Sequence, residues 1–163
     1  MVTREFDGAS GSAGDARGFV ADALAGWDLD VLVVDSQLMV SELVGNAVQH
    51  ARSAVAVSVS VADGTLEVGV TDRSRDLPRP PGGPETVSGR LAESGRGLYL
   101  VNQLADAWGT TLVPEGKQVW FRLDVGSDWP HRTSCPCGGD DLERVRLKSG
   151  RYAVRVPGPW SGG

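Results

Sequence analysis

Three polar side chains recur every four residues in the segment Ser-Glu-Leu-Val-Gly-Asn-Ala-Val-Gln-His-Ala, residues 41–51. They are Glu42, Asn46 and His50, and at about 3.6 residues per turn this spacing places all three on one side of a helix. An amide oxygen is a hard ligand that suits Mg²⁺, and a carboxylate one turn away can orient or deprotonate a nucleophile. The stripe therefore predicts metal–phosphate chemistry. The alternative is a surface helix with an ordinary polar side.

The elements that must position this stripe follow from the hydrophobic pattern. A helix over 31–52 carries the stripe, because apolar residues occupy its opposite side. A helix over 16–27 precedes it, and strands over 55–61 and 66–71 follow it, joined by a hairpin turn at Asp63-Gly64. The second strand ends at Asp72. A helix over 97–107 and strands over 110–113 and 118–125 complete the pattern.

The segment Gly95-Arg96-Gly97-Leu98 opens the third helix. Backbone N–H groups at a helix start bind phosphate, and glycine lets the backbone approach closely. Alone, such a segment is weak evidence for a phosphate site.

Three segments, taken in order, resemble the N, G1 and G2 boxes of the GHKL ATPases, over roughly residues 12–125. They are the polar stripe at 41–51, the strand end at Asp72 and the helix start at 95–98. Asn46 to Ala51 and Gly95 to Val101 are most similar to the small RsbW-type and SpoIIAB-type anti-sigma-factor serine kinases. Trp108-Gly109 and the segment 116–121 resemble the closing strands of those proteins.

The resemblance implies ATP and Mg²⁺ as cofactors and a role for each matching residue. Glu42 corresponds to the catalytic carboxylate that activates the nucleophile, and Asn46 to the Mg²⁺ ligand. Asp72 corresponds to the acid that binds the adenine amino group. The implied ATP-binding residues are Asn46, Asp72, Ser74, Gly95, Arg96, Gly97 and Leu98. For His50, a structural role at the helix end is favoured over catalysis.

The G1 box departs from the family pattern. Residues 72–76 read Asp-Arg-Ser-Arg-Asp and contain no glycine. Ser74 is small enough to lie beside a base, whereas Asp76 brings a charge to a position that is usually a neutral hinge. We interpret the site as modified rather than lost. The Pro-rich segment 73–90 corresponds to the lid over the nucleotide, or is a plain linker.

Composition limits the function classes. The chain has 163 residues, a net charge of −5 and a pI near 5.0, which disfavours direct nucleic-acid binding. The sequence shows no unbroken apolar run of membrane-spanning length and no signal peptide, so a cytoplasmic location without membrane contact is expected. Zinc binding by His131, Cys135 and Cys137 is disfavoured, because their spacing matches no common closed site.

The expected fold is an α/β (two-layer α+β) sandwich of the GHKL, or Bergerat, type, with a mixed, mostly antiparallel sheet and helices on one face. We divide the chain into a flexible N-terminus (1–11), the ATP-binding kinase-like domain (12–125) and a C-terminal extension (126–163) with a β-hairpin around Lys148-Ser149-Gly150.

The leading function implied by the resemblance is an ATP-dependent serine kinase that sequesters a sigma factor and phosphorylates a STAS-type anti-anti-sigma partner. A homodimer is expected, with contributions from the first helix and from the strand 55–61. Two alternatives stay open: a catalytically weak or inactive module that regulates by sequestration only, and an autonomous ATP hydrolase.

Overall fold

The computed structural model describes residues 1–9, 11–51, 53–78, 96–125, 143–146 and 152–155. The helices are α1 (Ser12–Ala25), α2 (Val33–Ala51) and α3 (Arg96–Leu104), and a 3₁₀ turn (Asp30–Leu32) precedes α2. The strands are β1 (Val2–Phe6), β2 (Val55–Ala62), β3 (Thr65–Asp72), β4 (Ala107–Val113), β5 (Gly116–Asp124), β6 (Glu143–Arg146) and β7 (Tyr152–Arg155).

Five strands form one antiparallel sheet in the order β1-β2-β3-β5-β4. The turn between β2 and β3 is Asp63-Gly64, and both residues have positive φ angles, 49° and 72°. Positive φ at both central positions is typical of the hairpin turns that match strand twist, and Asp-Gly is a preferred pair there. The predicted hairpin is confirmed, and so is the α/β fold with helices on one face. The sheet was expected to be mixed and mostly antiparallel, and every described pairing in it is antiparallel.

The hydrophobic core lies between the helices and one face of the sheet. Alternate residues of β2, β3 and β5 point into it, as the period of two in a strand requires. The buried strand residues on this face include Val55, Val57, Val59, Leu66, Val68, Val70, Val119, Phe121 and Leu123. The helices contribute Phe19, Val20, Leu24, Val40, Val44, Leu98 and Val101 to the same cluster.

Helix α2 is the central helix of this layer. Among the described residues, Asp30–His50 is the one helical segment whose length and composition would suit a membrane span, and a third of its most apolar window is buried. Here Met39, Val40 and Val44 are buried in the core, and α1 and α3 lie against the same helix. The apolar residues of α2 therefore pack within the domain.

The prediction of a flexible N-terminus is wrong for Val2–Phe6, which pairs as strand β1 with β2. Phe6 is buried and contacts Phe19 edge to face, with ring centroids 6.2 Å apart, and the Arg4 guanidinium lies 4.8 Å from the Phe19 centroid. Strand β1 satisfies backbone groups that would otherwise be unpaired along β2. The strand was missed because one buried residue in five gives almost no hydrophobic pattern.

Helix α1 begins at Ser12, four residues before the predicted start, because Asp7 organises the preceding turn. Its carboxylate accepts hydrogen bonds from the Ala9 N–H at 3.0 Å and from the Ser12 hydroxyl at 3.1 Å. These donors, the backbone N–H first, hold the pKa of the Asp7 carboxyl below its ordinary value.

The surroundings of strand β2 limit how it could contribute to a dimer. Its two edges are paired with β1 and β3, and Val55, Val57 and Val59 are completely buried under the helices. A contribution of this strand to a homodimer would therefore have to come from its other side. It stays a prediction, as does the contribution of helix α1.

Within the C-terminal extension, Glu143–Arg146 and Tyr152–Arg155 pair as antiparallel strands β6 and β7. This two-stranded sheet lies in the segment for which the alternating pattern predicts a hairpin, and β6 comes close to β4. The predicted turn at Lys148-Ser149-Gly150 lies outside the described residues, as do His131, Cys135 and Cys137, so the zinc hypothesis stays untested.

Candidate functional site

Helix α2 presents Glu42 and Asn46 to the first turn of α3. Both side chains are half-buried, and Gly97 lies directly against them. A Cβ atom placed on Gly97 would be 2.6 Å from Glu42 Oε2 and 3.1 Å from Asn46 Nδ2. The Glu42 Cβ atom, which cannot rotate away, would be 3.0 Å from the same position, so a larger residue would push the start of α3 away from the polar stripe. The structure thus brings three predicted site residues together.

The Asn46 amide carries a polar atom with unused bonding capacity. Its Nδ2 is buried and has no hydrogen-bond partner in the described part of the chain. A buried donor without a partner costs about 1–3 kcal/mol. Rotation of the amide by half a turn exchanges its nitrogen and oxygen, so the same side chain can offer Oδ1 to a cation or Nδ2 to an anion.

The donor set beside Gly97 fits a magnesium–phosphate group. Asn46 supplies an amide oxygen and Glu42 a carboxylate, and Mg²⁺ prefers oxygen ligands and takes few of them from the protein. The described residues contain no group of three or more His, Cys, Asp or Glu side chains placed for a metal. Asn46 would therefore hold the ion together with phosphate oxygens and water, as the resemblance implies.

His50 lies apart from this contact. It is exposed in the last turn of α2. A cationic or donor side chain at that position complements the negative end of the helix dipole, which is the structural role favoured from the sequence.

Asp72 is buried at the end of β3 and bound by two donors. The Ser74 N–H donates to Asp72 Oδ1 at 2.7 Å, and Lys117 Nζ donates to the same oxygen at 2.9 Å. The side chains of Asp72 and Lys117 are 2% and 7% exposed. Asp72 and Lys117 are direct partners in the pairing of β3 with β5. The predicted base-binding acid therefore already has a positive partner.

The chain after Asp72 is ordered without glycine. Ser74 Oγ accepts a hydrogen bond from the Asp76 N–H at 3.1 Å, one step after the bond from the Ser74 N–H to Asp72. Successive side-chain bonds of this kind stabilise a turn locally. On the neighbouring strand, Gly116 lies against the backbone of Asp72 and Arg73 with no space for a Cβ atom, so glycine lets β5 approach this turn closely.

The remaining G2 residues are placed less fully. Gly95 lies outside the described residues, and Arg96 is the first residue of α3. The Leu98 side chain is buried in the hydrophobic core. Leu98 can therefore serve a phosphate only through its backbone N–H in the first turn of α3, while its side chain anchors that turn.

A family model described as the histidine kinase-like ATPase domain matches residues 9–123. The matched range includes Glu42, Asn46, Asp72 and Gly97, and it covers well over half of the chain. The chain therefore belongs to the histidine kinase-like ATPase family, the GHKL type, and carries an ATP-binding domain. A search of curated proteins found no match.

Lys117 and Gly116 are site residues that the sequence reasoning missed. Both were included in a segment similar to the closing strands of the family, without a role at the site. The available signal was their position at the start of the last core strand, which runs antiparallel to β3 and so begins beside Asp72. The pairing of Lys117 with that acid depends on the register of β5 against β3, which the local sequence pattern does not reveal.

Proposed function

We propose that this protein is an ATP-dependent serine kinase of the anti-sigma-factor class, which sequesters a sigma factor and phosphorylates a STAS-type anti-anti-sigma partner. The observation that carries the proposal is the contact of Glu42 and Asn46 with Gly97. It brings together a carboxylate, an amide whose Nδ2 has no partner among the described residues, and a helix start, within a domain of an ATP-binding family.

In this proposal Glu42 accepts the proton of the serine hydroxyl as its oxygen bonds to the γ-phosphorus and ADP leaves. Asn46 would hold Mg²⁺, which when bound would neutralise charge on the transferred phosphoryl group. The backbone N–H groups at the start of α3 bind phosphate oxygens, and Gly97 lets them approach. Alignment and charge neutralisation supply most of the catalysis in phosphoryl transfer, so this small set of groups is sufficient. The protein acts in the cytoplasm, as a homodimer.

The direct test is incubation with Mg²⁺, labelled ATP and candidate anti-anti-sigma proteins. Glu42→Gln should reduce transfer by about 10²–10⁴-fold, because a general base typically contributes that much. ATP affinity, measured by titration calorimetry, should stay close to that of the wild type. Glu5→Gln, on the exposed side of β1, is the matched control and should retain full transfer. Transfer that survives in Glu42→Gln would refute the assigned role.

A second candidate is a binding module that regulates by sequestration alone. The pairing of Asp72 with Lys117 and the glycine-free turn favour it, because both depart from a fully typical nucleotide site. Under this alternative the wild type binds a sigma factor but transfers no phosphate to any partner tested, and Glu42→Gln binds the sigma factor as tightly as the wild type does.

A further inference from the structure

The buried Asp72–Lys117 pair is a donor–acceptor arrangement at the position where the nucleobase is expected. Asp72 Oδ1 receives both the Ser74 N–H and Lys117 Nζ. The second carboxylate oxygen, Oδ2, keeps its capacity to accept. The Lys117 ammonium has three N–H donors, of which one is used at Asp72, so it can also donate to a ligand.

Such a pair can bind two kinds of purine edge. A 6-aminopurine offers the amino group at C6 as donor and the ring nitrogen N1 as acceptor, which match Asp72 and Lys117 respectively. A 6-oxopurine offers N1–H as donor and the C6 oxygen as acceptor, and these match the same two side chains. A lone carboxylate opposite the C6 position accepts from a 6-amino group and repels a 6-oxo group, because it has no donor to offer.

We propose that Lys117 is a base-recognition residue, and that with Asp72 it lets the site accept 6-oxopurine nucleotides as well as 6-aminopurine nucleotides. This inference rests on the proposed nucleotide site and adds its base specificity. Lys117 widens the specificity, since its ammonium supplies the donor that a 6-oxo group needs.

A purely structural role for the pair is the competing explanation. Burying an ion pair gains little net stability, because desolvation offsets the attraction. Strands β3 and β5 are already joined by a continuous backbone ladder and by the Glu67–Arg122 pair on the other face of the sheet. Cohesion of these strands therefore does not require a charged pair beside the Ser74 turn.

The test is a comparison of ATP, ITP and GTP binding in the presence of Mg²⁺, by titration calorimetry. ITP is the main probe, because it carries the 6-oxo group without the 2-amino group of GTP. Wild-type protein should bind ITP within about tenfold of ATP. CTP measures the affinity of the triphosphate without a purine and should be much weaker.

Lys117→Met removes the ammonium at similar volume and should weaken ITP and GTP about 10- to 100-fold more than ATP, the usual range for a charged hydrogen bond. Arg122→Met removes a cation from the opposite face of the same strand and should leave the ATP-to-ITP ratio unchanged. Lys117→Arg retains a positive donor and should keep the wild-type ratio. Neither the wild-type comparison nor Lys117→Arg depends on the stability of Lys117→Met.

The outcomes separate this inference from the proposed function. ATP binding with ITP more than about 100-fold weaker in the wild type would overturn the inference and leave the ATP site intact. Tighter binding of every nucleotide in Lys117→Met would also overturn it, because Lys117 would then compete with the base for Asp72. Failure of all nucleotides to bind the wild type would overturn both.

Discussion

Strands β3 and β5 are joined by two ion pairs, one on each face of the sheet. Asp72–Lys117 faces the helices, with an oxygen–nitrogen distance of 2.9 Å and side chains that are 2% and 7% exposed. Glu67–Arg122 faces outward, with a distance of 2.7 Å and side chains that are 30% and 41% exposed. Their geometry is almost the same, but their surroundings differ, and the surroundings determine what each pair can do.

Solvent screens the outer pair, so its contribution to stability is small and either partner can be lost. The inner pair is removed from water, where each charge depends on the other. The outer pair also has a neighbour: the Arg122 guanidinium stacks 4.3 Å from the Trp120 ring centroid. Charges act more strongly on a ligand where water does not screen them, and the inner face of the sheet provides such charges.

The largest effect is expected from breaking the inner pair. Lys117→Met leaves the buried Asp72 carboxylate without its cation, which should lower the free energy of unfolding by about 3–5 kcal/mol. Chemical denaturation monitored by circular dichroism measures this change. The double variant Asp72→Asn/Lys117→Met removes both charges and should recover most of the loss. A single variant as stable as the wild type would show that water reaches the pair.

The sequence predicted the α2 stripe and the Asp63-Gly64 hairpin because both are local. Helical spacing alone puts Glu42 and Asn46 on one side of α2, and two residues specify the turn. The Asp72–Lys117 pair could not be predicted in this way, because it joins residues 45 positions apart in the sequence. A shift of one residue in the register of β5 would turn Lys117 to the outer face.

Dependence on residues far away in the sequence also explains why β1 and the packing of the turn after β3 were not predicted. Strand β1 is recognisable only from its pairing with β2, since Phe6 is its one buried residue. The turn after Asp72 contains no glycine, and the glycine that packs against it, Gly116, comes from another strand. Family resemblance named the candidate site residues, whereas the contacts between them required the structure.

A second effect is expected on the helix side of the sheet, where α3 meets α2. Gly97→Ala puts a methyl group 2.6 Å from Glu42 Oε2 and 3.0 Å from Glu42 Cβ. Since the Cβ atom cannot rotate away, α3 must shift from α2. Overpacking of this kind typically costs about 1–3 kcal/mol, and ATP affinity should fall with it. Thermal unfolding and titration calorimetry measure the two changes.

Gly45→Ala is the matched control for that prediction. Gly45 lies on α2 beside Asn46 and is exposed, and a methyl group on its Cα would meet no described atom within 4 Å beyond its own helix backbone and chain neighbours. Alanine in an exposed helical position should stabilise the protein by up to about 1 kcal/mol. If both variants lose ATP binding equally, the close approach at Gly97 is not the cause.

On the outer face a glycine of similar crowding should behave differently. A methyl group on Gly69 would lie 2.6 Å from Gln118 Nε2 and 2.9 Å from Ser58 Oγ. Both atoms are ends of side chains that can rotate away, so Gly69→Ala should change stability by less than about 1 kcal/mol. ATP affinity should not change. A larger loss would mean that the outer face is packed as rigidly as the inner one.

The smallest effect is expected from the outer ion pair. Arg122→Met removes the partner of Glu67, and an exposed pair contributes about 0.2–1 kcal/mol. Its contribution should shrink further between low and high ionic strength, because salt screens exposed charges. The measurement is denaturation of the wild type and of Arg122→Met at both salt concentrations, with Lys117→Met alongside. The difference between wild type and Arg122→Met should narrow with salt, whereas the difference for Lys117→Met should persist, because buried charges are screened far less. Equal salt dependence of the two differences would contradict the distinction between the two faces of the sheet.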